Sequence, residues 1–185
     1  MKKVLIPIAE GFEELEAVTV IDLLRRAQFD VTVASLGNRL VKASRGTVVQ
    51  ADSYLDDALH HDYDLIVLPG GLPGADHLRD DSRIIRAISQ QHQQGKTLAA
   101  ICAAPKVLAH AGLLKGKKAT SFPNAIPAED LDGVDYQEQA VVIDGNIITS
   151  RGPGIAMDFA LALIEYLGGK ALREEVEAPL QRIRA

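Results

Sequence analysis

Thr97-Leu98-Ala99-Ala100-Ile101-Cys102-Ala103-Ala104-Pro105-Lys106 is the stretch that decides the fold. Residues 97–101 form a short apolar run bounded by Gly95-Lys96, the pattern of a strand buried on both faces. From Ala103 the pattern turns helical: Val107, Leu108 and Ala111 share one face, and Pro105 suits a first turn. Cys102 therefore sits where a strand stops and a helix starts, a sharp turn that lifts a side chain above the sheet edge. Amide groups at a helix N-terminus favour a thiolate over a thiol there. Cys102 is the only cysteine, so no disulfide can form within the chain. The competing reading is a small buried hydrophobe, the commonest role of a lone cysteine.

Working outward, apolar runs and helical patterns alternate. A central parallel strand is predicted at 4–8, followed by a helix over 13–28 with Ala17, Val20, Ile21 and Leu24 inward. Glu13 and Glu14 suit the positive first turn of that helix, and Arg25 and Arg26 its last. A second strand covers 31–35, and 40–51 makes an antiparallel excursion turning at Ser44-Arg45-Gly46. A short helix at 55–59 precedes a buried strand at 64–68, which runs into the loop Pro69-Gly70-Gly71-Leu72-Pro73-Gly74. Ser82 is expected to cap a helix that Gly95 ends. After the Cys102 unit come a short strand at 119–121 and a hairpin of 140–143 with 146–149 across Asp144-Gly145. Pro153 opens a helix that Gly168-Gly169 stops, and a last helix runs from 170 to about 178. No repeat, low-complexity segment or linker interrupts residues 1–185, which points to one domain. The alternation implies a doubly wound α/β sandwich, mostly parallel, with an added β-hairpin. Ligands of such folds sit beyond the carboxyl ends of the strands, here the loops after Ile8, Leu68 and Ile101.

Composition narrows the class. The 185 residues are 47% hydrophobic and 24% charged, with a net charge of −5, which argues against general binding to nucleic acid or anionic membranes. No apolar run approaches a membrane span. The opening Met1-Lys2-Lys3 and its apolar run superficially suggest a signal peptide, but Glu10, Glu13, Glu14 and Glu16 follow without a cleavage site. A single cysteine fits a reducing cytoplasmic setting. Gly70-Gly71-Leu72-Pro73-Gly74 breaks the dinucleotide-binding glycine spacing, and no Walker lysine pattern occurs.

The three edge loops each carry something a cysteine site can use. Glu16 lies in the opening turn after the first loop, although acidic helix starts are usually solvated. Gly70 and Gly71 offer unshielded N–H groups suited to an oxyanion, although tight βα turns use glycine as well. The third loop holds Cys102 and the amide of Ala103.

Glu13-Glu14-Leu15-Glu16, Leu68-Pro69-Gly70-Gly71, Ala99-Ala100-Ile101-Cys102-Ala103-Ala104-Pro105 and Ser150-Arg151-Gly152-Pro153-Gly154 occur together in that order. Over essentially its whole length the chain resembles the ThiJ/PfpI superfamily, in the branch of the parkinsonism-associated deglycase and its bacterial relatives. The resemblance implies a flavodoxin-like fold, a homodimer and an easily oxidised elbow cysteine beside a protonatable glutamate. By position it makes Cys102 the nucleophile and oxidation site, Glu16 the acid/base, and Gly71 and Ala103 backbone donors. Arg45 matches an arginine near the pocket and the dimer contact, where Glu13, Arg25 and Arg26 add charge. The implied activity is cofactor-independent glyoxalase or deglycase chemistry, of hydrolase or lyase type, on reactive aldehydes such as methylglyoxal or on glycated thiols and amines. The alternative is a redox-sensing stress protein or chaperone whose cysteine goes to sulfinic acid without turnover. One departure stands out: Phe122 occupies the place of a histidine found in several members, so no Cys-His-acid triad is evident and protease activity is not expected. His60, His61, His77, His92 and His110 lack metal-ligand spacing and are expected at the surface.

Overall fold

A computed structural model describes residues 1–182. In chain order the strands are β1 (Lys3–Ile8), β2 (Asp30–Ser35), β3 (Leu40–Lys42), β4 (Val48–Gln50), β5 (Ser53–Tyr54), β6 (Leu65–Leu68), β7 (Thr97–Ile101), β8 (Lys118–Ala119), β9 (Asp135–Tyr136), β10 (Val141–Asp144) and β11 (Ile147–Ser150). The helices are α1 (Glu14–Arg26), α2 (Leu55–Ala58), α3 (Gly74–Asp80), α4 (Ser82–Gln93), α5 (Pro105–His110), α6 (Ala156–Gly168) and α7 (Lys170–Glu177).

Seven strands build the central sheet in the order β10-β11-β7-β6-β1-β2-β5. All its pairings are parallel except β10 with β11, where Val142 lies opposite Thr149 across the Asp144-Gly145 turn. The apolar runs of β1, β6, β7 and β11 are buried on both faces, as a doubly covered parallel sheet demands. Successive residues point to opposite faces and join two separate cores. Val4, Ile6, Ile8, Ala99 and Ile101 pack with Ala17, Val20 and Leu24 of α1 and with Phe159 and Leu163 of α6. Leu5, Ile66, Leu68, Leu98 and Ala100 pack on the other side with Leu78, Ile84, Ile88, Val107 and Leu108. The strand order steps outward in both directions from the β1–β6 pair, and the carboxyl ends of such a switch point are where a doubly wound fold places its site.

Three departures from the sequence reading have local causes. Residues 74–80 form a helix, α3, where the sequence reading has a loop ending at Gly74 and no element before Ser82; Pro73 can precede a helix, and Ala75 and Leu78 bury one face. The cap of α4 is Asp81 rather than Ser82: its carboxylate accepts the Arg83 N–H at 2.8 Å. Pro153 opens a short 3-10 turn that leads into α6 rather than the helix itself. The 40–51 excursion is a separate two-stranded hairpin, β3 with β4, tied to the start of α1 by Gly11 N–H to Lys42 C=O and Ser44 N–H to Phe12 C=O, both 2.8 Å. Among the described residues no helix is long and apolar enough to cross a membrane.

Asp81 also grips the Arg83 guanidinium at 2.6 Å, and Arg83 reaches Asp56 and the Leu36 carbonyl, each at 3.0 Å. Asp81→Ala is therefore expected to destabilise the chain by about 1–2 kcal/mol in denaturant unfolding. Asp81→Asn, which keeps the acceptor, should lose less; equal losses would locate the effect outside the cap.

Candidate active site

Cys102 leaves β7 with φ of +62°, the left-handed region that a β-carbon disfavours. The turn is held from both sides: its N–H donates to the Ser150 carbonyl at 2.9 Å, and its own carbonyl accepts the Phe122 N–H at 2.8 Å. Pro105 then starts α5 without a side-chain cap. The thiol is left partly exposed above the sheet edge.

Glu16, in the first turn of α1, is fully buried. Its Oε2 accepts the Gly70 N–H at 2.9 Å, while Oε1 is buried without a hydrogen-bond partner of its own. The Cys102 thiol is the neighbouring side chain that most favours the ionised carboxylate. This closeness depends on Gly70, where a β-carbon would stand 2.6 Å from Glu16 Oε2 and 2.7 Å from the Cys102 β-carbon. Gly71 follows with φ of +90°, pressed against the backbone of Gly11, Phe12 and Glu13. The N–H groups of Ala103 and Gly71 bond toward the sulfur and favour its thiolate.

The electrostatics run against the helix-end expectation for Cys102. Burial, then the charge and hydrogen bond of Glu16, push its thiol up to about 12, outweighing the two amides. Burial likewise pushes Glu16 up to about 7. Two negative charges cannot share this site near neutrality, so a thiolate forms only while Glu16 keeps the proton.

The structure thus brings Cys102, Glu16, Gly71 and Ala103 together, and leaves Arg45 apart. Arg45 is exposed at the β3–β4 tip, its N–H donating to both Glu14 carboxylate oxygens at 3.1 Å. Ser44 binds the same corner, its hydroxyl donating to Glu13 at 2.7 Å. Arg25 and Arg26 are occupied within the chain, by Asp52 at 2.7 Å and Asp22 at 2.8 Å. Phe122 is half-exposed, and none of the five histidines makes a described hydrogen bond to Cys102. Among the described residues no group of His, Cys, Asp or Glu is arranged to hold a metal.

Sequence reasoning missed Lys106. A lysine in a helix's first turn ordinarily points to water, yet this one is buried with Nζ 2.8 Å from Asp76 of α3. The pair ties the helix after the Gly70-Gly71 loop to the helix after Cys102. Partners 30 positions apart carry no local signal.

A model of the DJ-1/PfpI family matches residues 2–166. Protein DJ-1 homolog B of Arabidopsis thaliana is 47% identical over 170 residues, 91% of this chain, and this chain spans only 38% of that protein's length. An oxidized Toxoplasma gondii DJ-1 structure superposes with a TM-score of 0.92 at 40% identity, covering 100% of both chains. A Pyrococcus abyssi protein named as a deglycase is 32% identical over 152 residues, 82% of this chain and 91% of that one.

The buried Glu16 gives a signed pH effect. Its folded value, about 7, lies above its ordinary 4.5, so the native state holds the extra proton. That contribution is complete below pH 4.5 and is lost as pH rises through 7, by up to about 3 kcal/mol. Glu16→Gln should therefore unfold at a higher temperature than wild type at pH 8, and the gap should narrow toward pH 5. A gap independent of pH would remove the carboxyl's burial as its cause.

Proposed function

The chain belongs to the DJ-1/PfpI family, and on that premise we propose that Cys102 is the nucleophile of cofactor-independent glyoxalase or deglycase chemistry on reactive aldehydes and their adducts. The observation that carries this reading is the buried Glu16 carboxyl, raised to about 7, beside a thiol on a strained strand-to-helix turn. A thiolate forms when Glu16 holds the proton, and it attacks the aldehyde carbon of methylglyoxal. The resulting hemithioacetal oxygen is received by the N–H groups of Gly71 and Ala103 and takes up a proton. Glu16 then removes the proton from the former aldehyde carbon as the ketone oxygen takes up a proton, giving an enediol; the proton returns to the former ketone carbon as the hemithioacetal hydroxyl gives up its own and becomes the thioester carbonyl. The product is a lactoyl thioester, which water cleaves to lactate and the free thiol. The sum is methylglyoxal plus water giving lactate and a proton, with no net oxidation or reduction. With Phe122 where an imidazole would stand, Glu16 alone activates the water, and slow turnover follows.

A second reading is favoured by the partner-free Glu16 Oε1 and the two sulfur-facing amides, which suit the oxygens of a sulfinate. Peroxide then oxidises the thiolate first to sulfenate and then to sulfinate, and Cys102 reports oxidant without turnover. The oxidized state of the Toxoplasma relative is consistent with it.

The two readings separate in one set of assays. Catalysis predicts steady-state lactate that scales with protein, is abolished in Cys102→Ser and falls at least about tenfold in Glu16→Gln. If lactate stays at the protein-free rate while peroxide adds two oxygens to wild type but not to Cys102→Ser, the sensor reading stands instead.

A homodimer is supported by apolar side chains left in the open. Leu15 and Val18 are exposed one turn apart on α1, and Val48 is exposed on the hairpin packed beside its N-terminus. Sedimentation at low micromolar concentration should give about twice the 19.9 kDa chain mass. Val18→Arg should shift it toward monomer; a wild-type monomer would overturn the assembly.

A further inference from the structure

Beside the elbow lies a cleft of about 490 Å³ whose floor and walls come from residues 121–138 and Arg151. Two of its residues are chain neighbours of the residues that hydrogen-bond the Cys102 backbone. Ser121 precedes Phe122, whose N–H donates to the Cys102 carbonyl, and Arg151 follows Ser150, whose carbonyl accepts the Cys102 N–H. The cleft falls within the roughly 300–1,000 Å³ of small-molecule sites, and a three-carbon aldehyde fills only a small part of it.

Its polar groups divide into two kinds. The Tyr136 and Ser121 hydroxyls are occupied locally: Tyr136 donates to the Ser121 carbonyl at 3.1 Å, and Ser121 to the Phe122 carbonyl at 2.9 Å. The Arg151 guanidinium and the Glu138 carboxylate line the same cleft with no ion pair or side-chain hydrogen bond among the described residues, to each other or to anything else. Arg151 is half-buried, which leaves five donors in a planar fork without partners near an apolar wall of Ile126 and Leu131. A half-buried, unpaired cation and an exposed, unpaired anion lining one cleft complement a zwitterion.

The geometry points to this cleft as the binding subsite for the amino-acid portion of an aldehyde adduct, an α-amino acid whose side-chain thiol carries the carbonyl-derived carbinol. Arg151 takes the α-carboxylate bidentately, and Glu138 takes the α-ammonium. The adducted thiol then extends toward Cys102. The inference rests on the reading that Cys102 acts on carbonyl adducts, and it makes Arg151 and Glu138 determinants of specificity rather than catalytic residues.

The test is binding, measured by calorimetry or NMR on Cys102→Ser, so that it stands whether or not lactate is formed. S-methylcysteine, its carboxamide, its N-acetyl form and acetate are the probes. S-methylcysteine should bind about tenfold or more tightly than either the carboxamide or the N-acetyl form. Arg151→Ala should erase the penalty for the carboxamide, and Glu138→Gln the penalty for the N-acetyl form, each leaving the other intact. Equal affinities for the three amino-acid probes, no binding at millimolar concentration, or discrimination unchanged in both variants would overturn the subsite. Acetate binding as tightly as S-methylcysteine would reduce it to an anion site and overturn the amino-acid assignment.

Discussion

The site depends on one missing methyl group. At Gly70 the backbone runs so close to Glu16 and Cys102 that a β-carbon would lie within 2.7 Å of both. Without it, the Gly70 N–H reaches the Glu16 carboxylate, the Gly70 carbonyl accepts the Glu13 N–H at 2.9 Å, and the start of α1 is drawn under the loop after β6. Gly71, pressed against the same backbone, can then turn its amide toward the sulfur. Three strand ends are thereby locked into one site, and the Lys106–Asp76 bridge holds the two following helices in step.

That closeness also sets the electrostatics. A helix of six residues whose first turn begins beyond Cys102 has little field to offer the sulfur. Against it stand desolvation and a carboxyl in the same enclosure, and these win. What the site supplies is a proton held in common by a thiol and an acid, with the amides of Ala103 and Gly71 biasing where it rests. Such a pair can present a thiolate and a proton donor together, which a lone low-pKa cysteine cannot.

Much of this was legible in the chain. The unbroken apolar runs at β1, β6, β7 and β11 announce strands covered on both faces, and the change of period at Ala103 marks the elbow. The burial of Glu16 was not legible, because acidic residues in a first turn look alike whether they face water or a neighbouring loop; its place at the edge of the first loop and the motif resemblance singled it out without showing that it is enclosed. α3 leaves little trace in the sequence because Gly and Pro dominate its approach, and β5 because two residues paired at a sheet edge have no periodicity to read. Lys106 and Arg151 take their meaning from residues far away in the sequence, one satisfied by Asp76 and the other left open.

The bond from Cys102 N–H to the Ser150 carbonyl has a consequence for synthesis. β11 supplies that carbonyl and also completes the flank of β7, yet it lies nearly fifty positions downstream. A nascent chain that has just emerged past α5 carries its cysteine without the strand that holds the strained turn. The elbow geometry therefore arrives late: the strained turn is held by a part of the polypeptide made after it. Only a chain long enough to fold the whole sheet can hold Cys102 in that turn.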